Sequence, residues 1–151
     1  MHSSLWGPPL WQAMFACAWN VNASTIDALR TLLVEEIPML LPCETCRTNY
    51  ARHIPKVNQR AHGAPKSTNG HAMRWCWYLK HEVNGITGHS SIPLAEVVDR
   101  YVLHGANVDE VALADVLVLV AFTARNLNRD DLYISMCTHL SDLIGLATDS
   151  A

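Results

Sequence analysis

Residues 41–50 read LPCETCRTNY, and what surrounds this run decides the fold. Cys43 and Cys46 stand two residues apart, directly after Pro42, where a helix can begin. Cysteines at that spacing can close into a strained, easily cycled disulfide. A helix N-terminus presents backbone N–H groups and a partial positive charge, and both stabilise the reactive thiolate. Arg47 is close enough in sequence to add to this. Thiol exchange needs one sulfur within reach of substrate and a second to resolve the mixed disulfide. Three settings supply such a pair. One is a thioredoxin-like βαβ unit. Another is half of a zinc site, completed by Cys76 with His81, or by His53 or His71. The third is a redox pair feeding electrons to a cofactor in an aromatic-rich pocket.

Reading outward from the pair yields helices and no parallel-sheet rhythm, which sets the βαβ unit aside. The CxxC helix is expected to run to about Ile54, before Pro55, with a loop over 56–70 rich in Pro, Gly and Asn. Upstream, Pro8 and Pro9 sit where a helix can open. That helix carries Leu10, Trp11, Met14, Phe15 and Ala18 on one face, to about Asn20. Ser24 is the expected N-cap of the next, with Ile26, Leu29, Leu32 and Leu33 as its stripe, until Pro38 and Pro42 break it. Downstream, an aromatic helix spans roughly His71 to Ile86 and ends at Gly85 and Gly88. Pro93 opens another that Gly105 closes. A further helix covers about Asp109 to Asn126, although its β-branched content leaves a strand possible. Asp130 caps the last. The expected fold is all-α: a compact core over 1–90 and a helical extension over 91–151, within one globular domain.

Composition narrows the function classes. The chain has 151 residues, half of them hydrophobic, and a net charge of −3. This is a globular balance. Without a basic block it has no electrostatic footprint for nucleic acid. The stretch MHSSLWGPPLW lacks a basic region followed by an apolar run, so no secretory signal is expected. The most apolar run, Val116 to Ala124, is shorter than the roughly 20 residues a membrane span needs. Cys17, Cys43, Cys46, Cys76 and Cys137 make an odd cysteine count, which argues against a secreted disulfide framework. A close pair in such a chain is more often catalytic or metal-binding than structural.

Two further segments meet the need for an aromatic pocket: WGPPLWQAMFACA (6–18) and WCWYLKHEVNGITG (75–88). With LPCETCRTNY they resemble, in order and spacing, the motifs of the Erv/ALR family of FAD-dependent sulfhydryl oxidases. Trp75, Val83, Asn84 and Gly88 match that family's second signature, and Tyr50 falls at the aromatic position after its proline-cysteine-x-x-cysteine motif. The resemblance implies a four-helix bundle that holds FAD, usually as a homodimer. Cys43 would be the outer cysteine that exchanges with dithiol protein substrates. Cys46 would sit beside the flavin and pass it two electrons, which go on to dioxygen as hydrogen peroxide. The implied FAD contacts are Gly7, Pro8, Trp11, Phe15, Tyr50, Trp75, Trp77, Lys80, His81, Val83 and Asn84. The aromatics among these offer stacking surface, and Lys80, His81 and Asn84 fall within about one helical turn.

Some positions depart from the family. Its histidine-asparagine pair appears as Lys80-His81, and Phe15 replaces a frequent histidine. A second, shuttle CxxC is absent. The family's structural disulfide would begin at Trp77, so that bridge is not expected; a Cys17–Cys137 pairing has no support, and buried free thiols are the more common state. The extension resembles enzymes of large DNA viruses, which implies a site of action in the host-cell cytoplasm and in the virion. Two readings from other classes stay open: a zinc-stabilised helical interaction module using Cys43, Cys46, Cys76 and a histidine, and a flavin-free disulfide isomerase.

Overall fold

Among the described residues every regular element is helical and no strand is present. The computed structural model describes residues 3–103 and 108–145. In chain order these hold α1 (Ser3–Asn20), α2 (Ile26–Thr31), a π turn (Leu32–Glu36), α3 (Ile37–Leu40), α4 (Glu44–Ala61) and α5 (His71–Thr87). Then come α6 (Leu94–Val98), a second π turn (Asp99–Leu103), α7 (Glu110–Asn126) and α8 (Asp130–Ile144). The expected closure at Gly105 and the residue His104 lie outside the described residues. The β-branched stretch read as a possible strand is the helix α7. Asp109 caps it, its carboxylate accepting from the Ala112 N–H at 3.0 Å.

Proline does not set the boundaries expected of it. α1 opens at Ser3, so Pro8 and Pro9 lie inside it. Each removes one backbone donor, and the carbonyls affected belong to the turn at the exposed Leu5. Burial of Trp6 holds that first turn against the body of the protein. α4 likewise runs through Pro55 to Ala61, where a loop was expected after Ile54. Its buried stripe of Tyr50, His53, Val57 and Ala61 continues across the proline, and His62 ends the helix in the left-handed conformation at φ 58°. Gly85 sits within α5, and Gly88 alone ends it, at φ 79°.

Pro38 is also carried inside a continuous helical path. In the π turn the backbone N–H of Ile37 donates to the Leu32 carbonyl. The next donor in that register would come from residue 38 to Leu33, and proline has none. The Tyr50 hydroxyl fills the gap from α4, donating to the Leu33 carbonyl at 2.8 Å. Ser24 is not the cap of α2; Asn22 organises this turn, its Oδ1 accepting from the Ser24 N–H at 2.9 Å and the Thr25 N–H at 3.2 Å.

α4 packs along α5, and α1 contacts α5, α7 and α8. One apolar core runs through these helices, α2 and the first π turn, with Phe15, Leu29, Leu33, Val57, Trp75, Leu79 and Leu113 fully buried. Each such side chain contributes about 1.5–3 kcal/mol relative to exposure. No helix among the described residues is long and apolar enough to cross a membrane.

Candidate functional site

α1, α4 and α5 form the walls of a cavity of about 360 Å³, open on one side and within the size range of small-molecule sites. α1 contributes Trp6, Gly7, Pro8, Leu10, Trp11 and Met14. α4 contributes Cys46, Asn49, Tyr50 and His53, spaced so that one helical face carries all four. α5 contributes Lys80, Val83, Asn84, Ile86 and Thr87, and Tyr101 joins them from the second π turn. Most of the lining is apolar, which suits the faces of a flat ring system. Lys80 places its Nζ 4.8 Å from the centroid of the Trp11 ring. Burial, and then Arg100, lowers the Lys80 pKa.

The cysteine pair sits at the start of α4, as its spacing implies. Cys43 is the N-cap, in extended conformation, and its Sγ accepts from the Cys46 backbone N–H at 3.2 Å. Cys46 lies one turn into the helix on the cavity wall; Cys43 is not part of that wall. Burial pushes the Cys43 thiol up, but hydrogen bonds from the Cys46 thiol and from the Cys46 and Thr45 N–H groups outweigh it, and its net pKa is lowered. Cys46 is pushed up to about 11, by burial first and then by Cys43. Arg47 does not serve the thiolate as anticipated: its Nη1 donates to the Leu41 carbonyl at 2.7 Å and pins the link ahead of the pair.

These opposite shifts predict an order of reaction. In the reduced protein at neutral pH, iodoacetamide should modify Cys43 well ahead of Cys46. Because only the thiolate is nucleophilic, the Cys43 rate should rise with pH through a midpoint below that of an ordinary thiol. Peptide mass mapping of timed samples checks this; equal labelling of the two would contradict the geometry.

Two buried side chains on the cavity wall carry unmet polar atoms. His53 is 4% exposed, and neither ring nitrogen has a hydrogen-bond partner. Glu82 comes nearest, with Oε2 at 3.9 Å from Nδ1, beyond hydrogen-bond reach. Burial lowers the His53 pKa; Glu82 opposes this, while Lys56 and Arg52 add to it. The Trp6 Nε1–H, on α1, is likewise buried without an acceptor.

Of the residues proposed from sequence, the cavity gathers Gly7, Pro8, Trp11, Cys46, Tyr50, Lys80, Val83 and Asn84. Besides Cys43, four others do not line it. Phe15 is fully buried between Trp11 and Tyr101, with ring centroids 6.1 and 5.1 Å away. Trp75 is fully buried and donates Nε1–H to the Asn58 side chain at 2.8 Å. Trp77 donates to the Ile92 carbonyl at 2.8 Å, and His81 lies against its ring. Sequence reading overlooked Trp6 and Tyr101, and weighed His53 only as a zinc ligand. His53 had a signal, since it follows Cys46 by seven residues and Tyr50 by three. Tyr101 had none, because only tertiary packing brings its segment to α1.

All five cysteines are free thiols, so Cys17 and Cys137 are not paired. Cys76 is buried within the electrostatic reach of Cys17, and burial pushes both thiols up. Among the described residues no three His, Cys, Asp or Glu side chains gather as a metal ion would require. No protein-family model matches the chain, and neither a curated protein nor a solved structure matches it.

Proposed function

We propose that this chain is an FAD-dependent sulfhydryl oxidase of the Erv/ALR type, its α-helical bundle holding FAD and its Cys43–Cys46 pair oxidising dithiol proteins. The observation that carries the reading is the division of the pair. Cys46 faces an apolar cavity able to take a ring system, while Cys43 stands off that wall with the lower pKa. The lining suits parts of the group: apolar walls would take ring faces, and Lys80, whose Nζ lies over the Trp11 ring, would meet a phosphate from that position.

The chain's own sulfurs do the exchange. A substrate thiolate attacks the Cys43 sulfur of the Cys43–Cys46 disulfide, and Cys46 leaves as the thiolate. A second substrate thiolate then attacks the substrate sulfur of the mixed disulfide. Cys43 leaves as the better-stabilised thiolate, and the product disulfide departs. Bound FAD would supply the two-electron acceptor, with dioxygen as the final oxidant and hydrogen peroxide as its product. The setting that goes with this reading is the cytoplasm of an infected cell and the virion.

The test is the visible spectrum of the purified protein, with dithiothreitol then added under air. A flavin spectrum that bleaches and recovers while oxygen is consumed supports the oxidase. A colourless protein that gains no turnover from added FAD overturns it, and stoichiometric zinc would favour the interaction module.

A second copy of the chain belongs to the same proposal, and α7 carries a face for it. Val111, Val118 and Phe122 are 76%, 54% and 64% exposed on one stripe, with Asp115 and Arg125 beside them, also exposed. In an antiparallel pair about a two-fold axis level with residue 120, Val118 meets Phe122 of the partner subunit. The same operation sets Asp115 against Arg125 of the partner subunit, so charge and apolar surface match together. Phe122→Glu should convert a dimer to a monomer in sedimentation without loss of helicity. A dimer that survives this change does not use α7.

A further inference from the structure

The cavity wall carries more polar hydrogen-bonding capacity than the fold uses. His53 on α4 and Trp6 on α1 are both more than nine-tenths buried, both line the cavity, and neither finds a partner for its ring N–H. His53 also keeps an unused ring-nitrogen acceptor. Buried polar groups left unpaired cost free energy, roughly 1–3 kcal/mol each by mutational measure. A fold that keeps two of them on one cavity supports the presence of a ligand that pairs them.

We propose that the His53 imidazole and the Trp6 indole N–H are polar anchors for FAD in this cavity, hydrogen-bonding its polar atoms from two helices. This rests on the oxidase reading and adds two binding residues to it. A neutral imidazole gives one hydrogen bond and takes one, whereas the indole only gives. His53 follows Cys46 by seven residues, or about 10 Å along the helix axis at 1.5 Å per residue. A ligand placed against Cys46 therefore reaches His53 only if it extends along α4. The anchor thus holds a part of the cofactor remote from the sulfur, as a binding and positioning group rather than a reacting one.

The experiment measures FAD affinity of the full chain, by quenching of flavin fluorescence, together with the thermal midpoint of the flavin-free protein. His53→Leu removes both nitrogens and keeps an apolar filler. It should weaken FAD roughly 10-fold or more, about one lost hydrogen bond or two. The same change should raise the midpoint of the flavin-free protein, because an unpaired polar group has left an apolar wall. A residue that merely supported the fold would lower it. His53→Gln, which keeps a donor and an acceptor, should recover much of the affinity. Trp6→Phe, which loses only the N–H and filling at the ring edge, should weaken FAD several-fold and keeps the test open should His53→Leu fail to fold. Riboflavin measured alongside locates the anchor: equal weakening for both ligands puts His53 on the isoalloxazine or ribityl part, and weakening with FAD alone puts it on the adenylate half. His53→Leu and Trp6→Phe chains that bind FAD within 2-fold of wild type would overturn the inference and leave the oxidase reading standing. A wild-type chain that binds no flavin would overturn both.

Discussion

On the proposed oxidase reading, a Cys46→Ser chain should stay folded, keep its cavity, and lose turnover by at least roughly 10³-fold, because single losses within a reacting unit remove nearly all of its effect. Cys46 is the sulfur on the cavity wall. Without it Cys43 can still meet a substrate thiol, but no disulfide exists to be exchanged and no route leads inward. Cys43→Ser should be equally inactive towards protein substrates, for the complementary reason: the outer sulfur is gone. Neither change should unfold the chain. Cys43 is the N-cap of α4, and serine caps a helix at least as well, since its Oγ accepts the Cys46 N–H in place of sulfur. Oxygen uptake with a reduced protein substrate, set beside circular dichroism, measures both effects. Turnover within 10-fold of wild type in either variant would remove the pair from the mechanism. Unfolding of both would point to a structural metal instead.

Trp75→Ala should cost about 3–5 kcal/mol of stability, the range for emptying a buried aromatic site. The ring is fully buried, and its N–H is the donor to Asn58 across the α4–α5 contact, so the substitution also strands an amide oxygen. For a chain of this length the thermal midpoint should fall by about 10 °C. Urea or thermal unfolding of the flavin-free protein measures it. The result separates the two roles open to this tryptophan. A stable protein that loses flavin would make Trp75 a stacking surface. A destabilised protein whose folded fraction still takes up flavin makes it a core residue, as its burial and its bond to Asn58 require.

Much of the local structure was legible in the residues themselves. Apolar side chains recur at helical spacing in α1, α2 and α8, and Asn20, His71, Gly88 and Asn126 stand at or beside observed helix ends; Asp130, expected as a cap, is the first residue of α8, and Arg129 holds the cap position. The CxxC pair was legible too, because Pro42 before it and the capping geometry of Cys43 are short-range effects. The misplaced boundaries share one cause. Pro8 and Pro9, Pro38 and Pro55 each weaken a helix locally, and a sequence displays that cost without the compensation. The compensation is long-range: burial of Trp6, the Tyr50 hydroxyl on the Leu33 carbonyl seventeen residues away, and burial of Val57 and Ala61 beyond Pro55.

The same division holds for the site. Sequence by itself determined that the chain is helical and that Cys43 and Cys46 open a helix; that residues of α1 and α5 gather near them was an expectation from resemblance, met by Trp11 and Lys80 among others. Tertiary structure alone decided which of those residues meet. Helical periodicity states which side chains share a face but not what that face packs against. Trp11 and Lys80 therefore came to the cavity, while Phe15 and Trp75 went to the core. His53 differs from an ordinary core histidine only because α1 and α5 close over α4 without offering either of its nitrogens a partner.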